Sequence, residues 1–389
     1  MSIDLVRMRF AAVAAKIETT AGVDSIGGTP AAADWLAADC EIDFDPVTVE
    51  NPELTGSLDR SPSIVGGLKP RIRLRVLLRG SGTPATAPEW GRLLRCCTFS
   101  ETTNAALAAT ALPAAGHTTN SVTLPATPYG NAAQQYRGQP LLLTGAVADT
   151  TGITDYTAGR VATLASTLSA MPAATTSAAI PANILYAPTS DEAVYRTATL
   201  YFYADGLRWR FTGAVGTWSL ELSTGGIGVL VFELRAQLLD KSLAALPTGW
   251  NTTIRPTPPR FVGGRCQLNQ RLAQARRVML EAGVTVTLPD NPEATEGYDP
   301  AVPVERDARG SIDPLMNTTT AVALFNAFRQ GTAMSLMAIL GATAGNRFCV
   351  IAPAAKATGL RPGDRDGLGQ FDITFQLDGA DSPIFLAQF

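Results

Sequence analysis

Few side chains in this sequence are typed and spaced for catalysis or metal binding. A single histidine, His117, largely removes mixed His/Cys zinc sites and histidine-based acid–base chemistry. The cysteines Cys40, Cys96, Cys97, Cys266 and Cys349 are odd in number and lack metal-ligand spacing. Adjacent Cys96 and Cys97 cannot easily bond each other on a helix, so the thiols are expected buried and reduced, as in a reducing cytoplasm. No Gly-x-Ser-x-Gly elbow, P-loop or dinucleotide fingerprint sits between a strand and a helix. Gly225-Gly226-Ile227-Gly228 reads as a hairpin turn rather than a phosphate cradle. Gly363-Asp364-Arg365-Asp366-Gly367 has calcium-loop composition without the downstream glutamate, and reads as a turn with an internal Asp–Arg pair. Asp43 and Asp45 share one strand face, a weak glycosidase cue on its own. The expectation is a protein without catalytic residues, metal or cofactor.

The elements behind these residues are mostly strands. From Thr197 to Leu238 the chain reads as antiparallel strands joined by short turns. Leu207, Trp209 and Phe211 alternate with Arg208, Arg210 and Thr212, and Trp218, Leu220 and Leu222 with Ser219, Glu221 and Ser223. Such period-two alternation suits a half-buried strand, and Asp205-Gly206 and Gly225-Gly226 suit hairpin turns. Residues 1–40 read as an arm. Cys40–Glu50 and Arg71–Leu78 read as a hairpin with a long loop at 51–70; Arg71, Arg73 and Arg75 form either a solvated face balanced by acids or a subunit-contacting face. Pro88 opens a short core helix through Cys97.

Composition shifts between about Asn104 and Ala187, where Ala, Thr, Ser and Pro dominate and Lys and Glu nearly vanish. Candidate strands Ser121–Leu124, Pro140–Thr144, Thr154–Tyr156, Arg160–Leu164 and Ile180–Tyr186 suggest a small β domain spliced into a loop. Beyond a Pro-rich connector at 247–259, the second half repeats the grammar of the first. It has a strand pattern at 276–288, an acidic loop at 291–303 and an amphipathic helix at 319–329, with Val322, Leu324, Phe325 and Phe328 on one face. Strands at 333–340, 348–352 and 371–377 follow, connected by 341–346 and 356–369. The expected fold is mainly β, a sandwich or barrel with a short helix against each half. Hydrophobic residues are 46% and charged residues only 17% of the chain, which suits a protein that hides surface against other copies. A net charge of −3 argues against gripping nucleic acid without forbidding DNA to pass nearby. No apolar run reaches the roughly twenty residues that span a bilayer, and Phe10–Ala15 reads as the first structured segment rather than a signal peptide.

Several runs resemble the major tail tube proteins of long-tailed (siphophage-type) bacteriophages. They are Ala15-Lys16-Ile17-Glu18-Thr19-Thr20-Ala21-Gly22, Gly80-Ser81-Gly82-Thr83, and Ala87-Pro88-Glu89-Trp90 continuing to Phe99. Leu200–Gly206, Thr212–Thr217, Gly341–Asn346, Ala352-Pro353 and Asp364–Gly367 complete the pattern. The resemblance covers roughly residues 10–104 and 190–380. It implies a tail-tube domain made of 1–104 and 190–389; the inserted small β domain at 105–189 departs from the pattern, since many family members lack it, and resembles the small β modules carried as surface additions on phage structural proteins, which places it on the outer surface. It further implies a β-sandwich subunit that closes into hexameric rings, stacked as the tube through which genome DNA is ejected. The implied partners are other copies, tape measure, tail terminator and distal-tail proteins, and DNA that passes without specific binding. The implied location is the virion, after assembly in the host cytoplasm and without membrane insertion. The loop at 51–70, with Leu54, Asp59, Arg60, Ile64, Val65 and Lys69, is the candidate contact to the next ring. Asp43, Asp45, Glu221 and Glu233 are candidate lumen residues, the competing placement being the outer solvent-facing side. Two other readings stay open: a distal-tail or baseplate ring protein of the same fold, and a glycan-binding β-rich surface protein whose hint is Tyr129, Tyr136 and Tyr156.

Overall fold

The computed structural model describes residues 5–250 and 255–389 of the chain. Its frame is built twice from the same parts in the same order. The first set is β1 (Ala11–Ile17), β2 (Ala38–Asp43), β3 (Arg71–Leu77), α1 (Gly91–Arg95), β4 (Ala198–Ala204), β5 (Leu207–Ser223) and β6 (Val229–Leu243). The second is β7 (Arg265–Leu268), β8 (Ala275–Glu281), β9 (Arg309–Pro314), α2 (Ala321–Gln330), β10 (Met334–Leu340), β11 (Phe348–Arg365) and β12 (Leu368–Leu377). In the first set the antiparallel neighbours run β1–β4–β5–β6–β3–β2. In the second they run β7–β10–β11–β12–β9–β8, the same order strand for strand. The connections β2–β3 and β8–β9, residues 44–70 and 282–308, are equally long, and each carries its own small two-stranded ribbon.

The two repeats join where β8 pairs with the second half of β5, Ser219 to Ser223 against Glu281 to Arg277. One antiparallel sheet of eight strands results, β2–β3–β6–β5–β8–β9–β12–β11. A register row crosses all eight as Ala38, Val76, Leu230, Leu220, Leu280, Gly310, Phe375 and Ala357. Its large members are buried in one core shared by both repeats. The long strands β5 and β11 bend out of this sheet at register shifts. Their first halves pair with β4 and β10 in the layer behind. Area removed from water on both sides of that core is the main stabilising term.

The inserted β domain has its own sheet and its own core. Strands Leu107–Ala111, Ser121–Thr123, Pro140–Gly145, Asp149–Tyr156, Val161–Leu164 and Thr176–Ile180 form it, around Val122, Leu141, Ile153 and Leu164. The expected strand Ile180–Tyr186 is in fact two. Thr176–Ile180 closes the insertion, whereas Asn183–Pro188 belongs to the frame, paired with Phe99–Asn104 and Phe385–Gln388. The insertion therefore ends near residue 181 rather than 189. It sits between α1 and β4 of the first repeat, but it packs on the second. Met337, Ile339, Cys349 and Ile351 point away from the shared core into a cluster with Ala165 and Leu142, and Gly152 lies so close to Ile351 that a Cβ there would clash at 2.3 Å.

Other expectations change for local reasons. Residues 11–17 are no arm: β1 is paired along its length with β4, and Ala14 and Ala15 are fully buried. The strand expected at 40–50 breaks at Asp45, whose φ is 40°, and the one at 276–288 breaks at Gly283 with φ 61°. Residues 356–369 are not a connection; they are the outer half of the β11–β12 hairpin, turning at Asp366-Gly367. Helix α1 ends at Arg95, so Cys96 caps it and Cys97 lies beyond. On α2 only Leu324 and Ala327 are buried, while Val322 and Phe325 stay exposed. Tyr129, Tyr136 and Tyr156 stack edge to face inside the insertion, and Tyr129 and Tyr156 donate to backbone carbonyls. They offer no sugar-stacking surface, which removes the hint for glycan binding. Part of the 247–259 connector, residues 251–254, lies outside the described residues.

Candidate assembly edges and channel face

The eight-stranded sheet has one dry face and one wet face, because successive side chains of each strand alternate. The wet face carries charges along every row. One row runs Asp39, Arg75, Val231, Ser219, Glu281, Arg309, Gln376 and Lys356 from edge to edge. Arg71, Arg73 and Arg75 stand opposite Asp43, Glu41 and Asp39, as a solvated balanced face requires. Three of the four expected lumen acids, Asp43, Glu221 and Glu233, lie on this face, and Asp45 sits at its rim just past β2. Glu233 accepts from Arg71, Glu221 pairs with Arg277 at 2.9 Å, and Asp45 pairs with Arg235 at 2.8 Å. These exposed pairs add little stability. They do leave few unpaired cations to hold a phosphate backbone, whose affinity rests on Lys and Arg contacts.

The sheet does not close on itself. Among the described residues its first strand, β2, pairs only with β3, and the outer half of its last strand, residues 360–365 of β11, pairs only with β12. Open ladders carry unpaired N–H and C=O groups and are templates for another chain. Burial marks the same gap. At the internal junction Val278, Leu280, Trp218 and Leu220 are each at most 2% exposed. The counterparts of the first three at the open ends, Cys40, Ile42 and Leu360, are only half-buried against the core, and that of Leu220, Pro362, is exposed. No protein-family model matches the chain, and no curated protein aligns with it significantly. The functional reading therefore rests on the edges and the face.

The connection 44–70 is the most exposed part of the first repeat. Its ribbon pairs Pro46–Val49 with Ile64–Leu68, and Ile64 and Val65 are exposed. Leu54 and Leu58 at its tip are wholly exposed, and Arg60 meets Glu50 at 3.5 Å. Asp59 accepts from Ser57 in a local turn. Lys69 differs from the other expected contact residues: it lies over the Tyr298 ring at 4.4 Å, at the base of the ribbon. The matching connection 282–308 folds back on itself, Asn291 donating to Asp299, and lies on the first repeat through Val284 N–H to Thr217 and Ala301 N–H to Gly213.

Two features escaped the sequence reading. Glu18 is 2% exposed, and its carboxylate accepts from the Gly22 and Gly213 amides at 2.8 Å each and from the hydroxyls of Thr197 and Thr199. It ties β1 to the bend of β5, where Gly213 has φ 64°. The run Lys16-Ile17-Glu18-Thr19-Thr20 contains no sign that this acid is inside. The second is the outer edge of β11, where Gly359, Pro362 and Gly363 mask the strand alternation. There Arg365 pairs with Asp313 at 2.9 Å rather than with its neighbouring aspartates. Among the described residues no group of three His, Cys, Asp or Glu could hold a metal ion. All five cysteines are free, and burial pushes the Cys266 and Cys349 thiols up to about 12.

Proposed function

We propose that this protein is a structural subunit of a phage tail tube, whose copies join edge to edge into rings that stack around a DNA channel. The observation that carries the reading is the eight-stranded sheet, open at both ends, with a buried apolar face and a charge-balanced wet face. Edge-to-edge joining satisfies the open ladders, and a head-to-tail contact that closes makes a ring rather than a fibre. The wet face then becomes the channel wall, lined by Asp43, Glu221 and Glu233 with their arginine partners. Paired charges keep the wall from gripping DNA in transit. The insertion packs behind the second layer, on the side away from the wet face, and becomes an outer decoration. The exposed tip at 50–63 is the contact to the next ring, and tape measure, terminator and distal-tail proteins are the partners at the tube's centre and ends.

Negative-stain electron microscopy of the purified chain at low and high concentration tests this. Hollow tubes with a regular ring repeat are the expected result. Single rings that never stack favour the distal-tail role, and monomers at every concentration overturn self-assembly.

A further inference from the structure

Resting on that reading, we infer that each chain supplies two of the ring's six sheet units, so that a ring is closed by three chains. The contact between chains is then a copy of the junction inside the chain, with β2 of one copy paired to residues 360–365 of β11 in the next.

Both repeats use the same strand order, so positions correspond through their ladders. The pair Asp43–Arg71 at the end of β2 and β3 matches Glu281–Arg309 at the end of β8 and β9. From there Ile42 corresponds to Leu280, Glu41 to Met279 and Asp39 to Arg277. Along the long strands Trp218 corresponds to Leu360 and Ser219 to Arg361. The internal junction sets Ser219 opposite Glu281 and Ser223 opposite Arg277. Transferring that register between copies sets Arg361 opposite Asp43 of the next copy, and Arg365 opposite its Asp39. Both of these pairs are of opposite charge on the wet face; between them Gly363 stands opposite Glu41, and Arg365 also pairs with Asp313 of its own chain.

The backbone agrees. The two-residue turn Asp366-Gly367 makes Arg365 and Leu368 a hydrogen-bonded pair. Alternation then turns the backbone groups of Leu360, Pro362 and Asp364 away from β12, toward the open side. Pro362 offers only its carbonyl there, so the ladder loses one bond, and the proline discourages pairing with unrelated strands. The half-buried Cys40, Ile42 and Leu360 would be covered as Val278, Leu280 and Trp218 already are. The connection 44–70 would lie along the next copy's second repeat, as 282–308 lies along the first.

Three measurements on the whole chain test the inference. Averaged ring views should show six wall units but three outer projections, because only one repeat carries the insertion. Glu41→Cys with Gly363→Cys in the same chain should form disulfides between chains, since the opposed, non-hydrogen-bonded positions have Cα atoms about 4.5 Å apart. Oxidised rings should then run as covalent trimers without reductant. As a check on register, Arg361→Asp should lower ring yield about tenfold or more through like charges at the seam, and adding Asp43→Arg should restore it. Rings of six chains, or trimers in which neither the cysteine pair nor the charge swap responds, overturn this inference and leave the tube reading standing. Absence of any ring or tube overturns both.

Discussion

The junction inside the chain and the open ends of the same sheet are built from corresponding residues, yet they stand in different states. At the junction Leu280 is sealed between β5 and β9, whereas its counterpart Ile42 has a neighbour on one side only. The lesson is that a completed contact and an unfilled one can be read from one molecule, because the first is a template for the second. A designed or evolved monomer would blunt such ends, and this chain leaves them matched in charge.

The sharpest test of that comparison is a paired truncation. Leu280→Ala should cost about 2–5 kcal/mol, as for other large-to-small changes in a packed core. Ile42→Ala should cost less than half as much in the unassembled chain, and denaturant melts of the two variants decide it. Equal losses would mean that the β2 end is already a finished core. Next in size, Glu18→Gln puts an amide donor among four donors that met a carboxylate. It should cost about 2–3 kcal/mol, and a melt within a few tenths of the parent would show that the bend of β5 does not depend on this acid.

A smaller effect separates the insertion from the frame. Tyr156→Phe removes the hydroxyl that donates to Gly130 at 2.6 Å, worth about 1 kcal/mol. It should lower the insertion's protection in hydrogen exchange while β5 and β6 keep theirs. Loss of protection in both would make the two parts one cooperative unit. The smallest effect concerns pH. The Arg210 guanidinium, donating to both Asp240 oxygens, holds that carboxyl below its ordinary value of 3.8. Its contribution is therefore complete above 3.8 and is lost as pH falls through the lower folded value. In Asp240→Asn the acid-side decline of stability should be shallower, and an unchanged slope would assign the decline to other carboxylates.

Much of the frame was legible in the sequence because its strands are half-buried and show their alternation openly. The β4–β5–β6 meander, the paired runs at 41–79, the inserted domain and the repeated grammar of the two halves all follow from period two and turn residues. What was not legible has identifiable causes. β1 was hidden because Ala14 and Ala15 carry no alternation that distinguishes a central strand from a linker. The outer half of β11 was hidden by its glycines and proline, tolerable there because that edge has no strand partner among the described residues. On α2 the amphipathic pattern misled: Val322 and Phe325 share the apolar stripe, but the helix rests on the sheet through the narrower Leu324–Ala327 line.

By itself, then, the sequence determined local matters: most of the half-buried strands, the hairpin turns at Asp205-Gly206 and Gly225-Gly226, and which strand faces are apolar. Those are set by side chains a few residues apart. Tertiary structure alone decided the pairing of β5 with β8, the burial of Glu18, the balance of Glu221 and Glu233 against arginines, and the two matched open edges. Each joins residues far apart in the chain, and antiparallel pairing places no constraint on sequence that is visible until the partner strand is known.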